Sequence, residues 1–227
     1  ISTAIGGQVI QRTGKYKVLL ITGSGILAAS FAWLIQINKD SDYSFMMIGM
    51  LLVGLGLGQL MQTLTIASQN AVEPKQMAVA TSGSTFFRQI GGTLGTAVLI
   101  SILFGRIPEV LKEIFSRTDT QQKLGEALAN PAISGDPKNT QIVELLQNGA
   151  SNPGSLSDSL SGNTSFLNGA SPELTSPFVE GFAASAQSVY SVALVVAVVG
   201  FVMSWFVKTE ALREKSGIEE HAAAAGH

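Results

Sequence analysis

Arg88 is a charged residue in the middle of a long uncharged segment of this chain. It is the only charged side chain in residues 79–104, which are otherwise apolar, small or uncharged polar. A segment of that length and composition predicts a helix that crosses a membrane. A charge inside such a helix is costly, so it usually faces a protein interior or a water-filled path. Arg88 is therefore a candidate for lining a polar pathway, although its long side chain could also reach the membrane surface.

Three glutamines add hydrogen-bonding groups in or just after another apolar segment, residues 44–68. Gln59, Gln62 and Gln69 share one face of a helix, because their spacing follows the helical repeat. Amides on one side of a buried helix predict either hydrogen bonds between helices or the lining of a polar cavity. We group them with Arg88 as a candidate substrate pathway or buried polar network.

Five glycines are predicted to let helices approach each other closely. Gly54 and Gly58 lie in residues 44–68, and Gly91, Gly92 and Gly95 follow Arg88. Glycines four residues apart on a membrane helix allow a neighbouring backbone to come close. Glycine supplies no reactive group, so these positions predict packing and not chemistry.

The elements that carry these residues are predicted to be membrane helices. Residues 18–37, 44–68, 79–104 and 182–207 are each long and apolar enough to span a bilayer. Only 13% of the residues are charged, against ~25% in a typical soluble domain. Residues 1–10 have the composition of a helix end. The chain is therefore predicted to be an all-α membrane protein, with about four complete transmembrane helices and the end of a fifth.

Loop charges predict the orientation, because Lys and Arg concentrate in short cytoplasmic loops. Residues 11–17 carry three cations and no acid, which predicts a cytoplasmic loop. Residues 38–43 carry one Lys and two Asp and are expected outside, and alternation then places residues 70–78 inside. Residues 107–176 contain more acidic than basic side chains and are predicted to be extracytoplasmic. The basic residues that open the tail, 208–227, predict a cytoplasmic C-terminus.

The external segment divides into two parts by composition. Residues 108–129 have apolar side chains at helical spacing. Residues 130–176 are rich in Ser, Asn, Gly and Pro, with one short possible helix at 141–147. Such a composition predicts a flexible segment, since it offers little apolar area to bury. Ser176 followed by Pro177 is typical of a helix start and predicts where the last helix begins.

Several classes of function are disfavoured by what the sequence lacks. It contains no Cys, which excludes disulfides and thiolate chemistry, and a net charge of −2 offers no basic surface for nucleic acid. Its two histidines, His221 and His227, lie in the Ala-rich tail. No His, Cys or paired carboxylates stand at the spacing of a catalytic or metal motif. We therefore expect neither an enzyme nor a metal or cofactor site.

The segment GQVIQRTGKYK at residues 7–17 resembles the G-x-L-x-D-R-x-G-R-R/K loop signature of the major facilitator superfamily. The resemblance implies a cytoplasmic gating loop, whose cations meet partners in one transport state and release them in another. Gln11 stands where the fullest form of the signature has an acid, which leaves a charge-relay role in doubt. The matching residues are Gly7, Arg12, Gly14, Lys15 and Lys17.

A second resemblance covers residues 54–97. The run GLGLG, then Gln69, Pro74 and the pattern F-R-x-x-G-G-x-x-G-x-A, is similar to the late helices of the drug:proton antiporter branch with fourteen transmembrane helices. The resemblance implies that residues 1–106 hold the end of helix 10 and helices 11–13, and that residues 177–207 form helix 14. Residues 107–176 would then be an extracytoplasmic insertion, partly disordered.

The family resemblance implies the C-terminal part of a multi-pass transporter of the plasma (inner) membrane. It would export small hydrophobic or cationic substrates by alternating access, with the proton gradient as energy source. Its partners would be the lipid bilayer and the N-terminal half of the same transporter. The four apolar segments contain no Asp, Glu or His, so proton-binding carboxylates are expected elsewhere. The alternatives are an uptake carrier for another substrate class and a membrane-anchored binding module that uses the external segment.

Overall fold

A computed structural model of the chain describes residues 16–151 and 165–207, and within these residues it is all-α. Seven α-helices follow one another, with short 3-10 helices at Pro74–Gln76, Pro137–Asn139 and Ser165–Leu167. The α-helices are α1 (Tyr16–Leu34), α2 (Tyr43–Asn70), α3 (Met77–Ser116), α4 (Thr118–Ala129), α5 (Pro131–Ser134), α6 (Thr140–Ser151) and α7 (Pro172–Phe206).

Four of these helices are long and apolar enough to cross a membrane, which confirms the four predicted spans. They are α1, α2, α7 and the segment Pro74–Ser116, which contains α3. The predicted end of a fifth span, at residues 1–10, lies outside the described residues, as does the predicted tail at 208–227.

The described residues fall into two compact units. The first contains α1, α2, residues 77–97 of α3 and residues 191–206 of α7. Here α1 and α2 pack closely against each other and are joined by a short loop. Near this loop, Trp33 of α1 stacks on Phe45 of α2 with ring centroids 4.8 Å apart. The Trp33 indole nitrogen also donates a hydrogen bond to the Phe45 carbonyl oxygen at 3.2 Å.

The second unit contains residues 35–42 between α1 and α2, residues 98–116 of α3, helices α4 to α6 and residues 172–190 of α7. Apolar side chains from all of the longer helices meet in one core, so each helix supplies a part of the surface that the others bury. The fully or nearly fully buried members are Ile107, Leu111, Leu124, Ala127, Ile142, Leu174 and Phe178.

Much of the segment predicted to be flexible is folded, which corrects that expectation. Of residues 130–176, the structure describes 130–151 and 165–176, and helices α5 and α6 lie among them. The short helix predicted at 141–147 is confirmed within α6. The composition was misleading because the few apolar side chains of this segment join a core shared with α3, α4 and α7. Residues 152–164 lie outside the described residues.

Both long helices extend beyond their predicted boundaries. Helix α7 begins at Pro172 and not at Pro177, which lies inside it. Ser171 and Pro172 carry the same helix-start signal five residues earlier, and Leu174 is completely buried, so packing favours the longer helix. Helix α3 continues through Pro108 to Ser116 instead of ending near residue 106.

Candidate functional site

Arg88 lies on α3, with its side chain exposed. Helix geometry places it ~17 Å along the axis from Met77, well inside the apolar segment. A shallow open depression of about 330 Å³ lies elsewhere on the surface of α3, lined by Phe86, Gln89, Ile90, Thr93 and Leu94, and Arg88 is not among its lining residues. Among the described residues, none of the ion pairs includes Arg88. Any carboxylate that meets this guanidinium would therefore have to come from outside the described residues.

Two of the three candidate glutamines form hydrogen bonds between helices. Gln59 on α2 accepts a hydrogen bond from the Thr22 hydroxyl of α1 at 3.2 Å. Gln69 at the end of α2 donates through its amide nitrogen to the Thr81 hydroxyl of α3 at 2.9 Å. Gln62 is half-buried. The structure thus supports a polar network between helices, whereas a role of these amides in a substrate pathway remains a prediction.

Four of the five predicted packing glycines have no close neighbour among the described residues. A Cβ atom added at Gly91, Gly92, Gly95 or Gly54 would meet no heavy atom within 4 Å. Gly58 is half-buried. Close packing at these positions stays a prediction that requires a partner helix from another part of the protein.

The glycine contacts that the structure does contain are different ones, and at Gly56 the nearest atoms belong to the backbone of a neighbouring helix. A Cβ atom at Gly56 would stand 3.0 Å from the carbonyl oxygen of Gly23 and 3.0 Å from the backbone nitrogen of Leu27, both on α1. Gly23 faces back, with an added Cβ 3.1 Å from the Cβ of Gln59. At Gly49, an added Cβ would overlap with the side chain of Leu34.

We call the close contact between α1 and α2 the α1–α2 seam. The sequence contains a signal for it, although the predicted packing glycines were other ones. The three buried residues of α2 are Gly49, Gly56 and Thr63, which are spaced seven residues apart. Gly23 and Ser30, two buried residues of α1, have the same spacing. Small residues every second helical turn are typical of a tight seam between two membrane helices.

A second contact holds α1 against α7 in the first unit. The Ser24 and Ser204 hydroxyl oxygens lie 3.4 Å apart, and both side chains are buried. A Cβ atom at Gly25 would stand 3.3 Å from the ring of Phe201. Small side chains therefore mediate this helix contact as well.

The predicted gating loop is almost wholly outside the described residues. Gly7, Arg12, Gly14 and Lys15 precede the first described residue, Tyr16. Lys17 lies in the first turn of α1 and is half-buried. The role of this loop stays a prediction.

Comparison with known proteins gives several transporter relatives. The chain is 31% identical over 229 residues to a tetracycline resistance determinant of Streptomyces rimosus, covering 99% of the chain and 62% of the relative. It is 34% identical over 113 residues to the multidrug transporter protein MdtP of Bacillus subtilis, covering 50% of the chain and 21% of that protein. An uncharacterised MFS-type transporter of Mycobacterium tuberculosis is 24% identical over 204 residues, 89% of the chain and 24% of that protein.

The chain belongs to the major facilitator superfamily. It is a multi-pass membrane protein, because it has transporter relatives and four of its described helices are long and apolar enough to cross a membrane. The chain spans less than two thirds of the length of these relatives. No protein-family model matches the chain, and no solved structure matches it.

Proposed function

We propose that this major facilitator protein exports small hydrophobic or cationic compounds in exchange for protons, by alternating access. The observation that carries the proposal is the similarity of nearly the whole chain to a tetracycline resistance determinant. A second relative is named a multidrug transporter, and a third an efflux pump. The four described spans would supply part of the carrier and pack against its N-terminal half.

The polar groups of the described spans are suited to positioning and not to proton transfer. Arg88 supplies guanidinium donors and the glutamines supply amide donors and acceptors, and neither type of side chain acts as a proton carrier. The apolar segments contain no Asp, Glu or His. Proton coupling would therefore require carboxylates elsewhere in the protein, while Arg88 would act as a fixed charge facing the pathway. No step of this mechanism needs a cofactor, a metal or enzymatic chemistry.

Export is tested in cells that express the complete protein. We expect the cells to accumulate several-fold less tetracycline or cationic fluorescent dye than cells with an empty vector, because the carrier would expel these compounds. A protonophore should raise accumulation to the vector level within minutes. Equal accumulation with and without the protein, at a confirmed level in the membrane, would contradict export. Export that persists after the gradient collapses would contradict proton coupling alone.

The proposed orientation places the α1–α2 loop and the α4 helix outside and the α2–α3 loop in the cytoplasm. The support is the charge asymmetry of the loops. Single Cys residues at Ser41 or Gln122 should react with an impermeant maleimide in intact cells, and a Cys at Gln76 should react only after permeabilisation. This chain contains no native Cys to interfere. Labelling of the Gln76 position in intact cells would reverse the orientation.

The binding-module alternative has no specific support, although one objection to it is removed. It was disfavoured because the external segment was expected to be too polar to form a rigid surface. The described part of that segment has a buried core.

A further inference from the structure

The second unit joins α3 and α7 by a contact that leaves no space for a side chain. Gly181 of α7 is buried against α3, and a Cβ atom added there would stand 2.5 Å from Cδ2 of Leu111 and 3.8 Å from Cδ1 of Ile114. We call residues 107–116 of α3 and 172–181 of α7 the paired ends. Their closest approach is therefore set by one glycine.

Aromatic and apolar packing extends this contact along the paired ends. Phe115 and Phe178 meet edge to face with ring centroids 5.3 Å apart, a favoured arrangement of two rings. Phe178 and Leu174 are completely buried. All the buried residues of α3 lie here, because its only buried side chains are Ile107, Leu111 and Ile114.

Arg117 adds an ion pair where α3 ends. Its guanidinium donates hydrogen bonds to Glu180 of α7 at 2.7 Å and to Glu113 of α3 at 3.2 Å. The hydrogen bond to Glu113, followed by that to Glu180, raises the pKa of Arg117 above its ordinary value. The two carboxylates therefore favour the charged form of Arg117.

Buried hydrogen bonds of Asn139 connect the helices between α3 and α7 to the start of α7. Its side-chain nitrogen donates to the Ile133 carbonyl oxygen at 2.7 Å and lies 2.8 Å from the Ser171 hydroxyl oxygen. Its side-chain oxygen accepts from the Ser171 backbone nitrogen at 2.8 Å. Asn139 is completely buried, and a buried amide that loses its partners is strongly disfavoured. The connecting helices are thus fixed to the residue that precedes α7.

We propose that the second unit is a fastener that holds the paired ends of α3 and α7 together throughout the transport cycle, so that the two helices move as one body. Separating the paired ends would expose the shared apolar core and leave Asn139 unsatisfied. By contrast, residues 77–97 of α3 contain no buried side chain among the described residues. The part of α3 within the first unit therefore lacks such a constraint. The proposal rests on the transport function proposed above for its consequence, and on the contacts alone for its geometry.

A disulfide between Cys residues at positions 111 and 181 tests the proposal in the complete protein. Cγ of Leu111 lies 3.1 Å from the position of an added Cβ at residue 181. A sulfur at that Cγ position would have the ~3 Å spacing from the opposite Cβ that an S–S bond of ~2.05 Å requires. Leu111→Cys also removes the Cδ2 atom that a side chain at residue 181 would strike. The geometry therefore favours Leu111→Cys with Gly181→Cys in a background without other cysteines.

Cross-linking is measured after cleavage at a protease site inserted within residues 152–164. A disulfide should keep the two fragments together on a non-reducing gel, and each single Cys variant should release them. We expect nearly complete cross-linking and a drug export rate within about twofold of the reduced protein, since the fastener never opens. Failure to cross-link, or a tenfold loss of export that a reductant restores, would overturn the proposal.

A second measurement decides the matter if the Cys pair impairs folding. Spin labels at Lys112 and Val179, both exposed, should give one narrow distance distribution that is unchanged by substrate or by acidic and alkaline pH. Two populations of the label-to-label distance, or a shift of that distance on the order of one helical turn (~5 Å), would overturn the proposal. If wild-type protein exports nothing, the proposed function fails. Cross-linking and the spin-label distance then still decide whether the paired ends stay together.

Discussion

Gly56→Leu is expected to reduce the amount of folded protein in the membrane by tenfold or more. A Cβ at this position would stand 3.0 Å from two backbone atoms of α1, and a backbone cannot turn aside as a flexible side chain can. The two helices would have to separate along the seam that includes Gly23 and Gly56. Overpacking of this kind costs about 1–3 kcal/mol and sometimes more, which corresponds to a roughly fivefold to 150-fold shift in the folding equilibrium.

Gly54→Leu is the matched control, because it adds the same side chain two residues earlier in the same helix. A Cβ at Gly54 meets nothing within 4 Å, so the α1–α2 pair should tolerate the change and folded yield should stay near that of wild type. A loss of export at normal yield would instead support the predicted contact of Gly54 with a helix from another part of the protein. Yield is measured by detergent extraction and fluorescence-detected size-exclusion chromatography, and export is measured on the same cells. Gly56→Ala should lie between the two. Equal yields for Gly56→Leu and Gly54→Leu would show that the α1–α2 seam is not as tight as described.

The second large effect is expected at Arg88. Arg88→Met should lower drug export at least tenfold at normal membrane levels, and Arg88→Lys should keep part of the activity. Met preserves much of the apolar length but not the charge, whereas Lys preserves the charge without the forked donors of the guanidinium. The exposed position of Arg88 and the absence of an ion pair among the described residues suggest that its partner is outside them.

Thr96→Val on the same helix is the control for Arg88. Within the part of the chain that the structure describes, the Thr96 hydroxyl bonds only to the Gly92 carbonyl oxygen of its own helix, at 2.8 Å, so its loss should leave export unchanged. Export is measured as the initial rate of dye efflux from loaded cells, normalised to protein in the membrane. If Arg88→Met exports at the wild-type rate, the side chain merely reaches the membrane surface, and removing a costly charge should even stabilise the protein.

The contrast between Gly54 and Gly56 shows where prediction from sequence ended. The GLGLG run led us to predict close packing at Gly54 and Gly58, which stays a prediction, whereas the contact with α1 that the structure shows is at Gly56. Two residues turn a helix by roughly 200°, so neighbouring choices point to nearly opposite sides. Which side meets α1 depends on where α1 lies, and no local pattern around residue 56 contains that information.

The second unit was underestimated for a related reason. Its connecting segment looked too polar to fold, yet Ile142 is completely buried against side chains of α3 and α7. Those partners are distant in sequence, and the α3 residues among them were assigned to another part of the external segment. Asn139 and Ser171, which are 32 residues apart, could not be paired from composition either. A core shared among distant segments becomes visible only once they are brought together.

The sequence by itself determined the four membrane helices, the all-α class and the resemblance to the superfamily to which the chain belongs. These properties depend on length, apolar content and motifs, all of which are read along the chain. Only the tertiary structure decided that Gly56 and Gly181 are the confined glycines, that Gln59 and Gln69 bond neighbouring helices, and that α3 and α7 share a folded unit. These properties depend on which faces meet, because close packing and hydrogen bonds act over a few ångströms between residues that the sequence separates.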